Sequence, residues 1–454
     1  MSAHKELKMI RRKVERDLHN FLERGSKEAL LISGARQVGK TFIVREFGRQ
    51  NFKHYIEVNF VKNPKAKALF GDTVTEDEFF TLLTAFTSEP IVSGETLVFF
   101  DEIQECPELV AFIKFLVDDG RCRYILSGSL LGIELKNVRS APVGYLREVK
   151  MFPLDFREFA EACGIQDDLI ALVKTRFDAG GEVPVPAHDR LMKLLRLYLV
   201  VGGMPKVVQT YLDTHDIREV VLEQKAVIVE YKHDASKYDE RDKMRIVRTL
   251  ELVPSELNRQ NKRFFVTDLK HREKFERLEE NFVWLDKAGI SIPVYNVDSP
   301  TMPLELAKKA NLFKLFMNDV GLLACQYAEG IQLEILSGNV AANFGSVFEN
   351  FVAQELRAAG YETLYYFNSK KHGEVDFLIE HRGMVLPIEV KSGSEYKKHA
   401  ALDNLMSVRD FAIESAMVLN VDATAELGRV SYLPVYSAMF IEHDPLSRKL
   451  IYEL

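Results

Sequence analysis

The run Leu30-Leu-Ile-Ser-Gly-Ala-Arg-Gln-Val-Gly-Lys-Thr41 constrains the fold of this chain more than any other stretch. An apolar segment leads into GARQVGKT, whose glycines, lysine and threonine have the spacing of a phosphate-binding loop. In that reading Leu30 to Ile32 form a buried parallel strand. Gly34, Ala35, Arg36, Gln37, Val38 and Gly39 then form a loop whose backbone N–H groups face an anion. Gly34 and Gly39 supply backbone angles and a close approach that a Cβ would obstruct. Lys40 reaches the β- and γ-phosphates, and the Thr41 hydroxyl holds Mg²⁺. The bland competitor is a glycine-rich turn with an incidental lysine.

At 454 residues the chain is long enough for two to four domains. Lys and Arg number 60 against 67 Asp and Glu, a formal charge of −7. Nucleic-acid binding therefore gains no support from global charge and would need a local patch. Cys106, Cys122, Cys163 and Cys325 lack CxxC or metal-like spacing, which fits reduced thiols. The first residues, MSAHKELKMIRRKVERDL, are charged and helical in pattern without the apolar core of a signal peptide. No apolar run approaches the length of a membrane span, so the expectation is a cytoplasmic protein with no membrane contact.

Up to about residue 150, short apolar runs alternate with helical patterns, which argues for a parallel α/β sheet. His54 to Phe60, Thr96 to Asp101 and Arg123 to Ser127 read as its further strands. Met151 to Ala162 reads as helical, Ile165 to Asp189 as a looser insertion, and Leu191 to Leu199 as a helix running into Gly202-Gly203-Met204-Pro205. Helices dominate from there to about 290. Met244 to Val253, Phe265 to Leu269 and Lys274 to Ala288, closed by a strand at Ile292 to Val297, suggest a winged-helix module. Between Arg241 and Arg277 stand 11 Lys/Arg against 6 Asp/Glu, enough to touch phosphates and equally in keeping with a solvated helix face. Beyond about 310 a helix (Asn343 to Ala359) and strands at Glu362 to Phe367, Val375 to His381, Met384 to Val390 and Ala416 to Asn420 make a separate α/β domain. The expected division is 1–160, 161–310 and 311–454.

Two constellations carry chemistry beyond the loop. LeuValPhePheAspGlu, 97 to 102, places Asp101 at the carboxyl end of a buried strand beside the loop strand, where it supports Mg²⁺ through water. Glu102 follows at the position of a water-activating base. Near the other end, Asp376 sits in GEVDFLI, and Glu389 and Lys391 in LPIEVKSG. Period two in a strand puts Glu389 and Lys391 on one face. A carboxylate pair and a lysine in a hairpin are what a Mg²⁺ nuclease needs, with Asp376 and Glu389 on the metal. Lys370, Lys371, His372, Lys397 and Lys398 flank this set and could contact backbone phosphates. The competing account is a salt-bridged hairpin on a scaffold domain.

GARQVGKT, FFDEI, YILSGS (124–129), MFPLDFREF (151–159), LVVGGMP (199–205) and FKLFMNDVGLL (313–323) together resemble prokaryotic AAA-type ATPases that carry a C-terminal domain with a restriction-endonuclease-like fold. The resemblance covers nearly the full length. It implies an N-terminal P-loop parallel-sheet ATPase domain, a helical lid with a winged-helix module, and a C-terminal nuclease-like α/β domain. It also implies that Ser127, with Ser129 as its competitor, senses the γ-phosphate, and that Arg147 completes a nucleotide site in a neighbouring subunit of a homo-oligomer. In this family the arginine follows glycine, whereas here the motif is GYLRE. Pro205 would pack on the adenine. The hairpin acids and lysine resemble the PD-(D/E)xK signature, with Val375 in place of the proline and Glu349 as the additional acid. The expected activity is Mg²⁺-dependent ATP hydrolysis coupled to a nuclease-like domain acting on DNA or RNA. The alternatives are an ATP-dependent signalling switch or scaffold with an inactive nuclease-like domain and a protein partner, and a DNA-binding regulator acting through Arg259, Lys262 and Arg263.

Overall fold

The computed structural model describes residues 10–23, 27–71, 75–129, 144–235, 240–259, 282–328, 330–338, 345–393 and 395–443. The chain divides into two compact units, Met1–Phe152 with Lys287–Ile290, and Pro153–Asp286 with Ser291–Leu454. Among the described residues no helix is long and apolar enough to cross a membrane.

The first unit is built on five parallel strands, β1 (Ala29–Ser33), β2 (His54–Asn59), β3 (Thr96–Asp101), β4 (Arg123–Gly128) and β5 (Leu146–Lys150), in the order β2-β3-β4-β1-β5. Every residue of β1 and β3 is buried, as the apolar runs demand of strands covered on both faces. Val98, Phe100, Phe79, Leu109 and Ile113 belong to the core on one side. Two features depart from expectation. β5 has no apolar run: LREVK is a half-exposed edge strand, invisible to hydrophobic pattern. And β3 does not lie beside the loop strand, because β4 is interposed between β1 and β3.

The second unit contains a short ribbon of β6 (Gly181–Glu182) against β13 (Thr424–Ala425) and a mixed seven-stranded sheet. That sheet comprises β7 (Ser291–Val297), β8 (Lys308–Met317), β9 (Leu364–Ser369), β10 (Gly373–His381), β11 (Met384–Val390), β12 (Ala416–Asn420) and β14 (Val430–Pro434). Their order is β14-β12-β11-β10-β9-β7-β8. Ile292 to Val297 is therefore no wing: β7 pairs with β8 and β9 inside the sheet and is buried at all but one position. Of the expected winged-helix segments, Met244 to Val253 falls within a helix, Glu240–Leu257. Phe265 to Leu269, most of Lys274 to Ala288, and Lys262 and Arg263 lie outside the described residues. The supposedly loose stretch Ile165 to Asp189 holds a helix, Asp167–Ala179, and the start of another, Val185–Val201, which proline at the first turn favours.

Gly202 and Gly203 lie in close packing, where an added Cβ would stand 2.1 Å from Asp319 Oδ1 and 2.0 Å from Leu154 O, respectively. The Gly203 N–H donates to Asp319, and Leu154 N–H donates to Gly203 O at 2.7 Å. Asp319 also caps Val320–Ala324 by accepting from Leu322 N–H at 2.9 Å. Burial pushes the Asp319 carboxyl up to about 6 against these backbone donors. The native state thus binds this proton more tightly than the unfolded chain does. Its contribution to stability is full below the unfolded value near 4 and is lost as pH rises through 6. Between pH 7 and pH 5 the wild type should gain about 1.3 kcal/mol over Asp319→Asn in unfolding free energy, a slope difference readable by urea titration at the two pH values.

Candidate functional site

The loop after β1 has the backbone that its sequence requires. Gly34 has φ 145°, and a Cβ there would stand 2.1 Å from Met151 O. Gly39 has φ 95° and precedes the helix Lys40–Asn51. The Lys40 ammonium is buried and donates to Gly34 O at 2.8 Å and Ala35 O at 2.7 Å. The loop is held from outside by Arg12, which donates to Val38 O at 2.9 Å and Phe152 O at 2.7 Å. Gly289 rests on it too: a Cβ there would come within 3.1 Å of Ala35 N.

Asp101 is the hub of the site. Although β4 separates the two strands, Thr41 Oγ1 lies 3.0 Å from both Asp101 oxygens. Asn59, at the end of β2, donates to Asp101 Oδ2 at 2.7 Å, and Ser127, at the end of β4, donates to Oδ1. The next residue, Glu102, has φ 56°, a left-handed backbone that few non-glycine residues adopt, and Gln104 donates to its carboxylate at 2.6 Å. Ser127 is committed to Asp101, whereas the buried Ser129 hydroxyl has no hydrogen-bond partner among the described residues. Arg147 lies elsewhere. In β5 it registers with Leu30 at the start of β1, three residues short of Ser33, and its guanidinium donates to Asp17 O at 3.3 Å. Pro205 belongs to the second unit, where it opens the helix Pro205–Thr214.

The second constellation also converges, but around a residue that the sequence reading passed over. Glu349 comes from the helix Gly345–Ala358, Asp376 from β10 and Glu389 from β11, and all three are buried. Asp376 Oδ2 accepts from Val390 N–H at 2.9 Å, which locks β10 to β11 at the acids. Lys391 Nζ lies 2.8 Å from Glu389. Between the acids stands Lys314 of β8, fully buried, with its ammonium 2.7 Å from Glu374, 3.7 Å from Glu349 and 3.8 Å from Asp376. Burial opposes that charge, yet Glu349, Glu374 and Asp376 together hold the ammonium well above the usual lysine range. Burial pushes the Glu389 carboxyl up, with Lys391 pulling the other way. Lys391 is desolvated too, but Glu389 raises it.

Ammonium groups stand against these acids, Lys314 beside Glu374, Glu349 and Asp376 and Lys391 beside Glu389, while Glu389 Oε2 has no hydrogen-bond partner among the described residues. Among the described residues no group of three or more His, Cys, Asp or Glu side chains is placed to hold a metal ion. The flanking Lys397 and Lys398 are exposed and paired, with Glu426 at 3.0 Å and Glu395 at 2.5 Å. Arg259 pairs with Glu256 at 2.8 Å.

Arg12, Asn59, Gln104 and Lys314 were not singled out from sequence. Asn59 carried a usable signal, a polar residue at the carboxyl end of a strand, where open α/β sheets bind ligands. Lys314 carried another, a lone lysine inside the apolar run LFKLFM.

Comparison with known proteins bears on each part separately. The family described as AAA domain matches residues 26–160. Residues 192–332 and 344–437 each match a domain of unknown function, DUF8612 and DUF4143. No curated protein matches the chain. Among solved structures, the Walker-type ATPase of Pyrococcus abyssi is similar at 16% identity, covering 71% of this chain and 97% of its own, with a TM-score of 0.42. The Aeropyrum pernix Orc1 protein, solved in complex with DNA, is similar at 13% identity over 74% of this chain and 95% of its own, TM-score 0.30. The Thermotoga maritima RuvB Holliday junction branch migration motor is similar at 15% identity over 61% and 87%, TM-score 0.27. With the parallel sheet, the glycine loop and the Asp101 hub, the match makes residues 26–160 an AAA domain of the P-loop ATPase type.

Proposed function

We propose that the chain is an ATP-hydrolysing switch whose nucleotide state is read by a second unit that binds a partner and does not cut. The Asp101 hub carries the first half of this reading. A buried carboxylate beside the Thr41 hydroxyl supplies two hard oxygen donors of the kind Mg²⁺ prefers, so these residues fit the ion. Thr41 and, through water, Asp101 would hold it, and it would supply charge neutralisation for the phosphates. Asn59 and Ser127 hold Asp101 in its aim by donating to it. The Lys40 ammonium already lies against the loop carbonyls, and phosphate oxygens would replace them as its partners. Glu102, oriented by Gln104, would take the proton of the attacking water. Ser129, whose hydroxyl is spare, supports a γ-phosphate contact better than Ser127 does.

Coupling is supported by the path of the chain: the turn Lys287–Ile290 rests on the loop through Gly289, and the next residue begins β7. The non-cutting half of the reading is supported by Lys314 among the acids. Arg147, remote from its own loop, would serve only a neighbour's site.

Glu102→Gln tests the ATPase reading. It should retain ATP binding and lose turnover by about a hundredfold or more, since a positioned general base contributes on that scale. Turnover at the wild-type rate in this variant would remove Glu102 from the chemistry.

A further inference from the structure

We propose that Lys314 stands in for a divalent ion, so that the carboxylate cluster of the second unit is closed by an ammonium of the chain itself and takes up no metal. This rests on the non-cutting reading above. A Mg²⁺-like ion needs oxygens at about 2.0–2.1 Å around one point in near-octahedral geometry. Here an ammonium lies among the acids instead, 2.7 Å from Glu374 and 3.7 and 3.8 Å from Glu349 and Asp376, with the Tyr366 ring centroid 5.0 Å away. Lys391 takes one oxygen of Glu389, Oε1, at 2.8 Å.

The position is fixed by the sheet. Lys314 pairs in register with Val294 of β7, its side chain is fully buried, and the flanking Phe313, Leu315, Phe316 and Met317 are buried with it. A metal taking the place of this ammonium would have to displace it from three ion pairs. The same acids without Lys314 would be a set of buried, like-charged oxygens that a divalent ion neutralises well.

The test is a Mn²⁺ titration of the nucleotide-free full chain, read by the electron paramagnetic resonance of free Mn²⁺. The wild type and Asp376→Asn should give the same isotherm. Lys314→Ala should gain one Mn²⁺ bound at least tenfold more tightly than any ion on the wild type, and adding Asp376→Asn should abolish the gain. Because Lys314→Ala leaves unbalanced buried charge, Lys314→Ala with Glu374→Gln, which keeps the balance, is the second variant, and Mn²⁺ should raise the thermal midpoint of both.

A wild-type Mn²⁺ component that Asp376→Asn removes would overturn the proposal. So would a folded Lys314→Ala that gains none, or failure of both variants to fold even with Mn²⁺. Nicking of a plasmid by the wild type with Mg²⁺, lost in Asp376→Asn, would overturn the non-cutting reading as well. A folded variant without Mn²⁺ gain overturns only the ion-replacement proposal.

Discussion

Lys40→Ala is expected to weaken ATP binding by about ten- to a hundredfold, because a charge-assisted hydrogen bond is worth roughly 1.5–3 kcal/mol. Turnover should fall further, by about a hundredfold or more at saturating ATP, since charge on the transferring phosphoryl group is stabilised most in the transition state. The side chain is already desolvated, with its ammonium on Gly34 O and Ala35 O, so little reorganisation separates it from the phosphates. Alanine also removes the tie that folds the loop back on itself. Isothermal titration with ATP and a phosphate-release assay measure the two effects. Unchanged affinity and turnover would sink the assignment of GARQVGKT to a nucleotide.

Gly203→Ala is expected to destabilise the second unit by about 4 kcal/mol, at the upper end for a single substitution. A Cβ there would stand 2.0 Å from Leu154 O, a backbone atom that cannot swing aside. That carbonyl is held in turn by the buried Tyr198 hydroxyl, and Leu154 N–H is bonded to Gly203 O. Relief of the clash would break the Asp319 contact to Gly203 N–H and uncover a buried carboxylate. Chemical unfolding followed by tryptophan fluorescence reports the change, since Trp284 is buried in the same unit. Pro205→Ala supplies the contrast. Proline at a first helical turn donates nothing to the ladder, so stability should change by less than about 1 kcal/mol, and a selective loss of ATP affinity would support the adenine role. A loss of stability equal to that of Gly203→Ala would make the whole GGMP turn structural.

The nucleotide loop was legible because its determinants are local. Two glycines, a lysine and a threonine act through backbone angles and side-chain reach within a few residues of each other. The apolar runs of β1, β3 and β4 declare buried strands by composition alone. Glu349, Asp376, Glu389 and Lys391 were legible as a set once the helix and hairpin were recognised, because period two places alternate residues on one face. β5 was not legible, since an edge strand can be half polar and needs no apolar run. Nor was the membership of β7, whose neighbours β8 and β9 lie on either side of it in space while β9 is far along the chain.

What the sequence by itself determined is the identity of the loop, the Asp101-Glu102 pair and the two regions where acids and lysines gather. Tertiary structure alone decided what those groups meet. Registering β4 between β1 and β3 puts Ser127 on Asp101, and the end of β2 brings Asn59 to the same carboxylate. Pairing β8 to β7 delivers Lys314 into a cluster whose acids lie 35 to 75 residues further on. Such partners are set by strand order and register, which depend on burial summed over whole faces of a sheet. No short window of sequence contains that sum, and so the loop could be read from its letters while the ion inside the carboxylate cluster could not.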